Sequence, residues 1–169
     1  MKASINMRGA THYDATTLAV LSIKVWLATY AKEGIKAEYA DFVINTFNTS
    51  SILNDINNPE KIMLVAEQDG VLQGYLLANK KSHYQGQPEF GYEVERLYVD
   101  AQFKGQCIGK SLLKRCQNEL GSNFWLYTWV ENDANGFYQH LGLSNIGQFV
   151  FNFHGAKIHN WVYSSTQLL

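Results

Sequence analysis

The residues YVDAQFKGQCIGKSLL, Tyr98–Leu113, combine three local patterns and decide how the rest of this chain is interpreted. They run from the end of an apolar strand, through a polar loop that contains Gly105 and Gly109, into an amphipathic helix. Such a loop presents backbone N–H groups at a helix N-terminus, where the helix dipole favours negative charge. The stretch therefore predicts an anion-binding loop. Two glycines are equally consistent with a turn that needs them only for its backbone.

Two familiar phosphate-binding patterns are excluded at this loop. The dinucleotide-binding pattern Gly-x-Gly-x-x-Gly is not satisfied. A Walker loop is also excluded, because Gly105 lies one residue too close to Gly109-Lys110-Ser111.

Hydrophobic periodicity predicts helices in the first third of the chain and a strand-rich remainder. Asp14 is a candidate N-cap for the first helix, and Ser50 or Ser51 for the third. Asp69-Gly70 predicts a tight hairpin. The predicted helices cover residues 15–33, 38–47, 52–56, 108–120 and 133–141. The predicted strands cover residues 5–8, 62–66, 71–78, 90–99, 124–130, 146–153 and 158–163.

This order of elements predicts a mixed α/β fold in one domain of 169 residues. The connection from Val99 to Phe124 contains a helix, so these two strands should be parallel neighbours joined by a right-handed crossover.

The charge and the cysteine content of the chain limit the binding partners and the location that are expected for it. The net charge is −1, with 14 basic and 15 acidic residues, so nothing favours nucleic acid or a membrane surface as a partner. Cys107 and Cys116 are too few for a disulfide framework, and the N-terminus lacks a signal-peptide pattern. A cytoplasmic location is therefore expected. The histidines lack metal-ligand spacing, and no metal is expected.

The glycine loop resembles a motif of the GNAT acetyltransferase superfamily, whose members bind acetyl-coenzyme A (acetyl-CoA). The family motif is Arg/Gln-x-x-Gly-x-Gly/Ala after a strand ending in Leu-Tyr-Val, and here Leu97-Tyr98-Val99 precedes Lys104–Gly109. Lys104 replaces Arg or Gln, and Cys107 replaces the central glycine. By this resemblance the loop holds the pyrophosphate of acetyl-CoA.

A second motif, residues 129–143, resembles the later family pattern Asn-x-x-Ala-x-x-Phe-Tyr-x-x-x-Gly-Phe. Ala134, Phe137-Tyr138 and Gly142-Leu143 match in register, whereas Asn132 is displaced by one position. In the family this asparagine contacts the pantetheine arm and the tyrosine lies beside the thioester sulfur. The resemblance thus implies Tyr138 as the acid that protonates the departing thiolate.

Glu93 and Glu95 lie on one face of the strand before the loop. A solvated strand face is the alternative interpretation. In polyamine acetyltransferases the residue two positions before the Leu-Tyr-Val run is a glutamate, and Glu95 holds that position. A carboxylate there is suited to take a proton from an amine, and Glu93 to bind a second cationic group or to act through water.

The resemblance implies a GNAT-like α/β (α+β) fold with a mostly antiparallel central sheet, a splayed parallel strand pair and flanking helices. It implies direct attack of a polyamine-like small-molecule amine on acetyl-CoA. The alternatives are a protein N-terminal, lysine or aminoglycoside acetyltransferase, or a non-catalytic acyl-CoA sensor. A homodimer is possible. The implied cofactor-binding residues are Leu97, Tyr98, Val99, Lys104, Gly105, Gln106, Cys107, Ile108, Gly109, Lys110, Asn132 and Tyr138. Candidate acceptor-binding residues are Tyr30, Glu33, Glu95 and His154, with Trp26, Phe151 and Phe153 nearby.

Overall fold

The structure, a computed structural model, describes residues 4–165. The helices in this range are α1 (Ala15–Tyr30), α2 (Ala37–Thr46), α3 (Thr49–Asn57), α4 (Ile108–Leu120) and α5 (Ala134–His140). The strands are β1 (Asn6–Gly9), β2 (Lys61–Gln68), β3 (Val71–Asn79), β4 (Tyr92–Val99), β5 (Phe124–Trp129), β6 (Ser144–Phe153) and β7 (Ala156–Ser164). Among the described residues, no helix is both long and apolar enough to cross a bilayer.

The strands form one mixed sheet in the order β1-β2-β3-β4-β5-β7-β6. The β4–β5 pair is parallel, and its register covers the pairs Tyr92↔Phe124 and Glu93↔Trp125. β7 pairs antiparallel with both β5 and β6. This topology confirms the predicted fold class, and the short parallel register fits the predicted splay.

The chain divides into two compact units. The first holds the described residues through Ala78 together with Arg96–Cys116, and the second holds Asn79–Glu95 together with the described residues from Gln117 onward. The expectation of one functional domain remains a prediction.

The core of the first unit forms where α1 and α3 pack on β2 and β3. Leu18, Ile52, Val65 and Leu77 are each completely buried. Tyr75 is buried with them, and its hydroxyl lies 2.7 Å from Ser22 Oγ. Burial raises the pKa of the Tyr75 phenol, so the ring stays neutral in this core.

In the second unit the core lies on the strands after α4. Val162, Phe90 and Trp125 are buried together, and Tyr84 covers them from the β3–β4 connection. The Tyr84 hydroxyl approaches Gly147 so closely that a Cβ at this position would displace it.

Several helix ends differ from the sequence prediction by one to three residues, and α1 and α3 show how. α1 ends at Tyr30 rather than at residue 33. Asp14 holds the N-cap position of α1 as predicted, but its carboxylate accepts the Thr11 N–H of the preceding turn and makes no capping hydrogen bond to α1. The cap of α3 is Asn48, whose Oδ1 accepts the Ser51 N–H, rather than a serine. These caps depend on backbone angles that the local sequence leaves open.

β4 also begins later than predicted. It starts at Tyr92, because Phe90 lies in a short helical turn and Gly91 has a φ of +77°.

Candidate functional site

The glycine loop begins at Asp100, a buried residue that sequence analysis missed. Its backbone N–H donates to the Gln73 carbonyl, and its carboxylate accepts hydrogen bonds from Lys24 Nζ at 2.7 Å and from the Gln102 side chain at 2.9 Å. Burial works to raise the pKa of Asp100, but these donors outweigh it and hold the pKa below its ordinary value. The backbone N–H of Asp100 therefore anchors the loop to β3, and its ionised carboxylate anchors the loop to α1. The sequence feature that could have identified Asp100 is an aspartate directly after an apolar strand.

The predicted loop residues form one exposed turn into α4. Gly105 has a φ of +80° and Cys107 a φ of +60°, so a non-glycine residue adopts the left-handed conformation next to the helix. The Cys107 carbonyl accepts the Ser111 N–H, which starts the helix. Ile108 is buried and fixes the first turn, whereas Lys104, Gln106 and Cys107 are exposed.

Charge at this helix start favours an anion. α4 has 13 residues and no acidic residue in its first turn. The exposed side chains of Lys104 and Lys110 flank that turn in sequence, and Gly109 carries no side chain. Together with the helix dipole, these features can stabilise a phosphate group.

The two predicted carboxylates of β4 each accept a hydrogen bond from a neutral side chain. Ser82 Oγ donates to Glu93 at 2.6 Å, and Asn79 Nδ2 donates to Glu95 at 2.9 Å. Glu93 is 9% exposed, while Glu95 is half-buried. Neither Ser82 nor Asn79 was predicted from the sequence.

Leu97, Tyr98 and Val99 complete β4 as half-buried residues. β3 approaches this end closely, because an added Cβ at Gly74 would lie 2.8 Å from the Tyr98 carbonyl oxygen. The Tyr98 ring packs against Tyr75, with centroids 5.6 Å apart.

A half-buried cation on the same strand, Arg96, was also not predicted. The Arg96 guanidinium lies 5.1 Å from the Phe47 ring centroid and 3.3 Å from Asp55 Oδ2. Burial works to lower the pKa of Arg96, but the Tyr75 and Tyr98 phenols and the Asp55 carboxylate raise it overall, so the group stays charged. An arginine inside an apolar strand was the available sequence signal.

Tyr138 lies on α5 and is 7% exposed. Its ring packs against Tyr163, with centroids 5.7 Å apart. Asn135 organises this region: its Oδ1 accepts from the Tyr163 hydroxyl, and its Nδ2 donates to the carbonyls of Trp129, Val130 and Asn132. Asn135 was not among the residues predicted from the sequence.

The predicted Asn132 lies at the start of α5. Its Oδ1 accepts the Ala134 N–H, so its side chain closes the turn before the helix.

The candidate acceptor residues occupy three segments. The Tyr30 ring packs on Trp26 at 4.6 Å within a cluster completed by Tyr39 and Phe42 of α2. Glu33 is exposed in the turn after α1. His154 has a φ of +47° in the β6–β7 turn and packs against Phe153 at 4.7 Å. Phe151 lies two residues earlier on β6.

Within residues 4–165, no group of three or more His, Cys, Asp or Glu residues is arranged to hold a metal ion.

Comparison with known proteins identifies the family. Residues 26–164 match the family model described as the acetyltransferase (GNAT) domain. The chain belongs to the GNAT acetyltransferase family. Membership confirms the predicted family and the predicted enzyme class, an acyltransferase. Acetyl-CoA is the acetyl donor of the family, and the predicted cosubstrate is thereby confirmed.

The individual relatives share low sequence identity with this GNAT chain. An uncharacterised N-acetyltransferase in the pepI 3′ region of Lactobacillus delbrueckii subsp. lactis is 26% identical over 145 residues, which cover 82% of this chain and 83% of that protein. PaiA N-acetyltransferase from Thermoplasma acidophilum, solved with coenzyme A, has a TM-score of 0.71 at 20% identity, covering 94% and 98% of the chains. Ribosomal-protein-alanine N-acetyltransferase from Brucella melitensis has a TM-score of 0.67 at 18% identity, covering 94% and 98%. At these identities the structural likeness shows the fold alone.

Proposed function

We propose that this chain transfers the acetyl group of acetyl-CoA to the primary amine of a small molecule, with polyamine-like amines as the first candidates. The observation that carries the proposal is the pair of carboxylates on β4. Glu93 and Glu95 each accept a hydrogen bond from a neutral side chain, Ser82 and Asn79 respectively. These hydrogen bonds orient the two carboxylates. The pair is therefore suited to attract and deprotonate an ammonium group.

Glu95 is the proposed base. A primary amine is mostly protonated near neutral pH, so it must lose a proton before its nitrogen can form the new C–N bond. Glu95 accepts that proton directly or through one water molecule. Glu93 binds a second cationic group of the acceptor or relays the proton.

The bound cosubstrate supplies the thioester carbonyl at which the C–N bond forms and the C–S bond breaks. A backbone N–H of β4, at Leu97 or Val99, donates to the carbonyl oxygen as negative charge develops on it. Tyr138 donates a proton to the departing thiolate. Holding the amine beside the thioester supplies much of the rate.

The glycine loop is the proposed pyrophosphate site. Its exposed backbone at Gly105 and Cys107, the start of α4, and the side chains of Lys104 and Lys110 are the groups that would hold the phosphates. The coenzyme A in the Thermoplasma acidophilum relative supports this assignment. Asn132 is the proposed contact to the pantetheine arm.

A non-catalytic acyl-CoA sensor is the second candidate. One observation favours it: Cys107 stands in the left-handed conformation where the family motif has glycine. A side chain at that position reduces the close approach of backbone to phosphate.

Release of the coenzyme A thiol, measured across a panel of amines, tests the proposal. The panel contains diamines, polyamines, monoamines, an aminoglycoside and a peptide with a free N-terminus. We expect turnover with small primary amines. Binding of acetyl-CoA without turnover of any amine would contradict the proposal and support the sensor.

Two substitutions separate the proposed roles. Glu95→Gln should shift the rising limb of the pH–rate profile to higher pH, whereas Glu93→Gln, two residues away, should raise KM more than it alters the profile. Tyr138→Phe should lower kcat by roughly 10²-fold or more, with little change in acetyl-CoA affinity. An unchanged pH profile in Glu95→Gln would remove Glu95 as the base, and an unchanged kcat in Tyr138→Phe would remove Tyr138 as the acid.

A further inference from the structure

Four aromatic rings form a continuous row on one face of β5 and β6. The row, here called the aromatic strip, consists of Trp125, Tyr127, Phe149 and Phe151. Successive ring centroids are 6.4, 5.0 and 6.2 Å apart. Such separations are those of packed aromatic pairs, so the strip is one apolar surface rather than four separate side chains.

The strip covers β7, which lies between β5 and β6. Tyr127 is in register with Val162, and Phe149 with Asn160. Val162 is completely buried, and Asn160 is 2% exposed. The central rings themselves remain open, since Tyr127 is 41% exposed and Phe149 is 45% exposed. The inner faces of these rings therefore cover β7, and their outer faces are exposed to solvent.

One end of the strip is closed. The Tyr84 ring packs against both Trp125 and Phe90, with centroids 5.5 Å apart in each pair. Trp125 is only 9% exposed in consequence. Exposure rises from Trp125 to Tyr127 and Phe149, so the open part of the strip begins beside the covered end.

The closed end also adjoins a proposed acceptor-binding carboxylate. Glu93 is directly in register with Trp125 in the parallel pair. Ser82 joins them, because its Oγ donates to Glu93 and its carbonyl accepts from the Trp125 indole at 3.1 Å. Tyr127 is two residues further along β5, which corresponds to about 7 Å along a strand. That distance is comparable to the length of a short arylalkyl amine.

The lack of acidic residues on the strands of the strip disfavours the binding of a polycation. Residues 144–164, which form β6, β7 and their turn, contain no Asp or Glu, and Lys157 is their only Lys or Arg. Residues 124–129 of β5 contain no charged residue. A second ammonium group lying on this surface would meet no carboxylate of these strands and would lose its hydration. An uncharged aromatic or aliphatic group would instead remove apolar surface from water.

We propose that the aromatic strip is an acceptor subsite, and that it selects amines with an uncharged aromatic body joined to a single ammonium group. The ammonium group lies towards the carboxylates of β4, and the aromatic body lies on Tyr127 and Phe149. This inference rests on the proposed transfer of an acetyl group to a small primary amine, and it replaces polyamine-like amines with short arylalkyl monoamines as the expected acceptor.

Steady-state kinetics with three short primary amines test the subsite. The probes are 2-phenylethylamine, n-butylamine and 1,4-diaminobutane, with thiol release as the readout. For the wild-type chain we expect the lowest KM with 2-phenylethylamine. Phe149→Ala should raise that KM roughly fivefold, leave kcat nearly unchanged, and have little effect on n-butylamine. Phe149→Trp should restore the low KM.

Val150→Ala is the matched control. Val150 is the next residue of β6, is also 45% exposed, and points to the opposite face of the strand. We expect no change in KM for any of the three amines. An equal rise in KM in both variants would show a general effect on β6 and would overturn the subsite.

The remaining outcomes separate the two proposals. Turnover of all three amines with no preference for 2-phenylethylamine, or with no effect of Phe149→Ala, would overturn the subsite and leave the proposed function intact. No turnover of any amine would overturn both. Light scattering on the wild type and on Phe149→Ala adds a further check, since loss of a dimer in the variant would identify the strip as an interface between copies and overturn the subsite.

Discussion

Cys107 combines a backbone conformation that favours glycine with an exposed position before α4. Its φ of +60° places an L-residue in the left-handed region, which costs about 1–2 kcal/mol relative to an ordinary conformation. The exposed thiol offers little packing in return. The loop that is proposed to hold the cofactor therefore contains a strained residue, Cys107.

Replacing this residue tests the strain directly. Cys107→Gly should raise the free energy of unfolding by about 0.5 kcal/mol, because relief of the strain exceeds the added chain entropy of glycine. Cys107→Val should lower it by more than about 1 kcal/mol, since a β-branched residue fits the left-handed region poorly. Urea unfolding measures both. Equal stabilities of the two variants would contradict the strain.

Asp14 should contribute to acid sensitivity in the first unit. The Arg8 guanidinium hydrogen-bonds its carboxylate at 2.8 Å and holds the pKa of Asp14 below its ordinary value. A folded-state pKa below the unfolded value adds stability above about pH 4, and that stability is lost as pH falls through the folded pKa.

We therefore expect Asp14→Asn to lower the free energy of unfolding at pH 7 by about 1–3 kcal/mol. The loss should shrink as pH falls below about 4 and the wild-type carboxylate is protonated. Urea unfolding at several pH values provides the measurement. Asp41→Asn, on the exposed surface of α2, is the control and should change little. A pH-independent difference between Asp14→Asn and the wild type would refute the ion pair as the cause.

At the scale of elements, the contact between β3 and β4 depends on one glycine. A Cβ at position 74 would lie 2.8 Å from the Tyr98 carbonyl oxygen and 3.2 Å from Val99 Cα. Both are backbone atoms of β4, so the clash cannot be relieved by moving a flexible side chain.

Gly74→Ala should accordingly lower the free energy of unfolding by about 1–3 kcal/mol, the usual cost of overpacking. Gly9→Ala on β1 is the matched control, because a Cβ there would have no heavy atom within 4 Å. Thermal or urea unfolding of the two variants tests the difference. Equal stability of Gly74→Ala and Gly9→Ala would show that β3 and β4 can move apart without loss of unfolding free energy.

At the scale of the whole molecule, binding of acetyl-CoA should stabilise the chain by mass action. A ligand present at 100 times its Kd adds about 2.7 kcal/mol. For a chain of this size, that corresponds to a rise in Tm of roughly 5–10 °C. Differential scanning fluorimetry provides the measurement, and no shift at saturating acetyl-CoA would contradict the proposed cofactor loop.

Two charge-reversal variants of α4 test where the phosphate groups of acetyl-CoA bind. Lys110→Glu, in the first turn, should reduce the shift, although an acidic residue there stabilises the helix itself. Lys114→Glu, one turn later and also exposed, should leave the shift unchanged. Equal shifts in the two variants would move the phosphate site away from the start of α4.

Much of the element order could be predicted from the sequence because its signals are local. The hairpin at Asp69-Gly70 is an example, since both residues have positive φ, +52° and +78°. The helix α4 is another, and it begins and ends where periodicity and Gly121 indicate. The carboxylates of β4 were also predicted, but their donors Ser82 and Asn79 lie 11 and 16 residues away and carry no local signal.

From the sequence alone came the family, the candidate cofactor loop and the candidate acid and base. Those features depend on short motifs and on the backbone preferences of single residues. Only the tertiary structure decided that Asp55 neutralises Arg96, that Asp100 anchors the loop, and that rings of β5 and β6 meet across β7. Strand order and register bring these residues together, and both depend on contacts between residues that are distant in the chain.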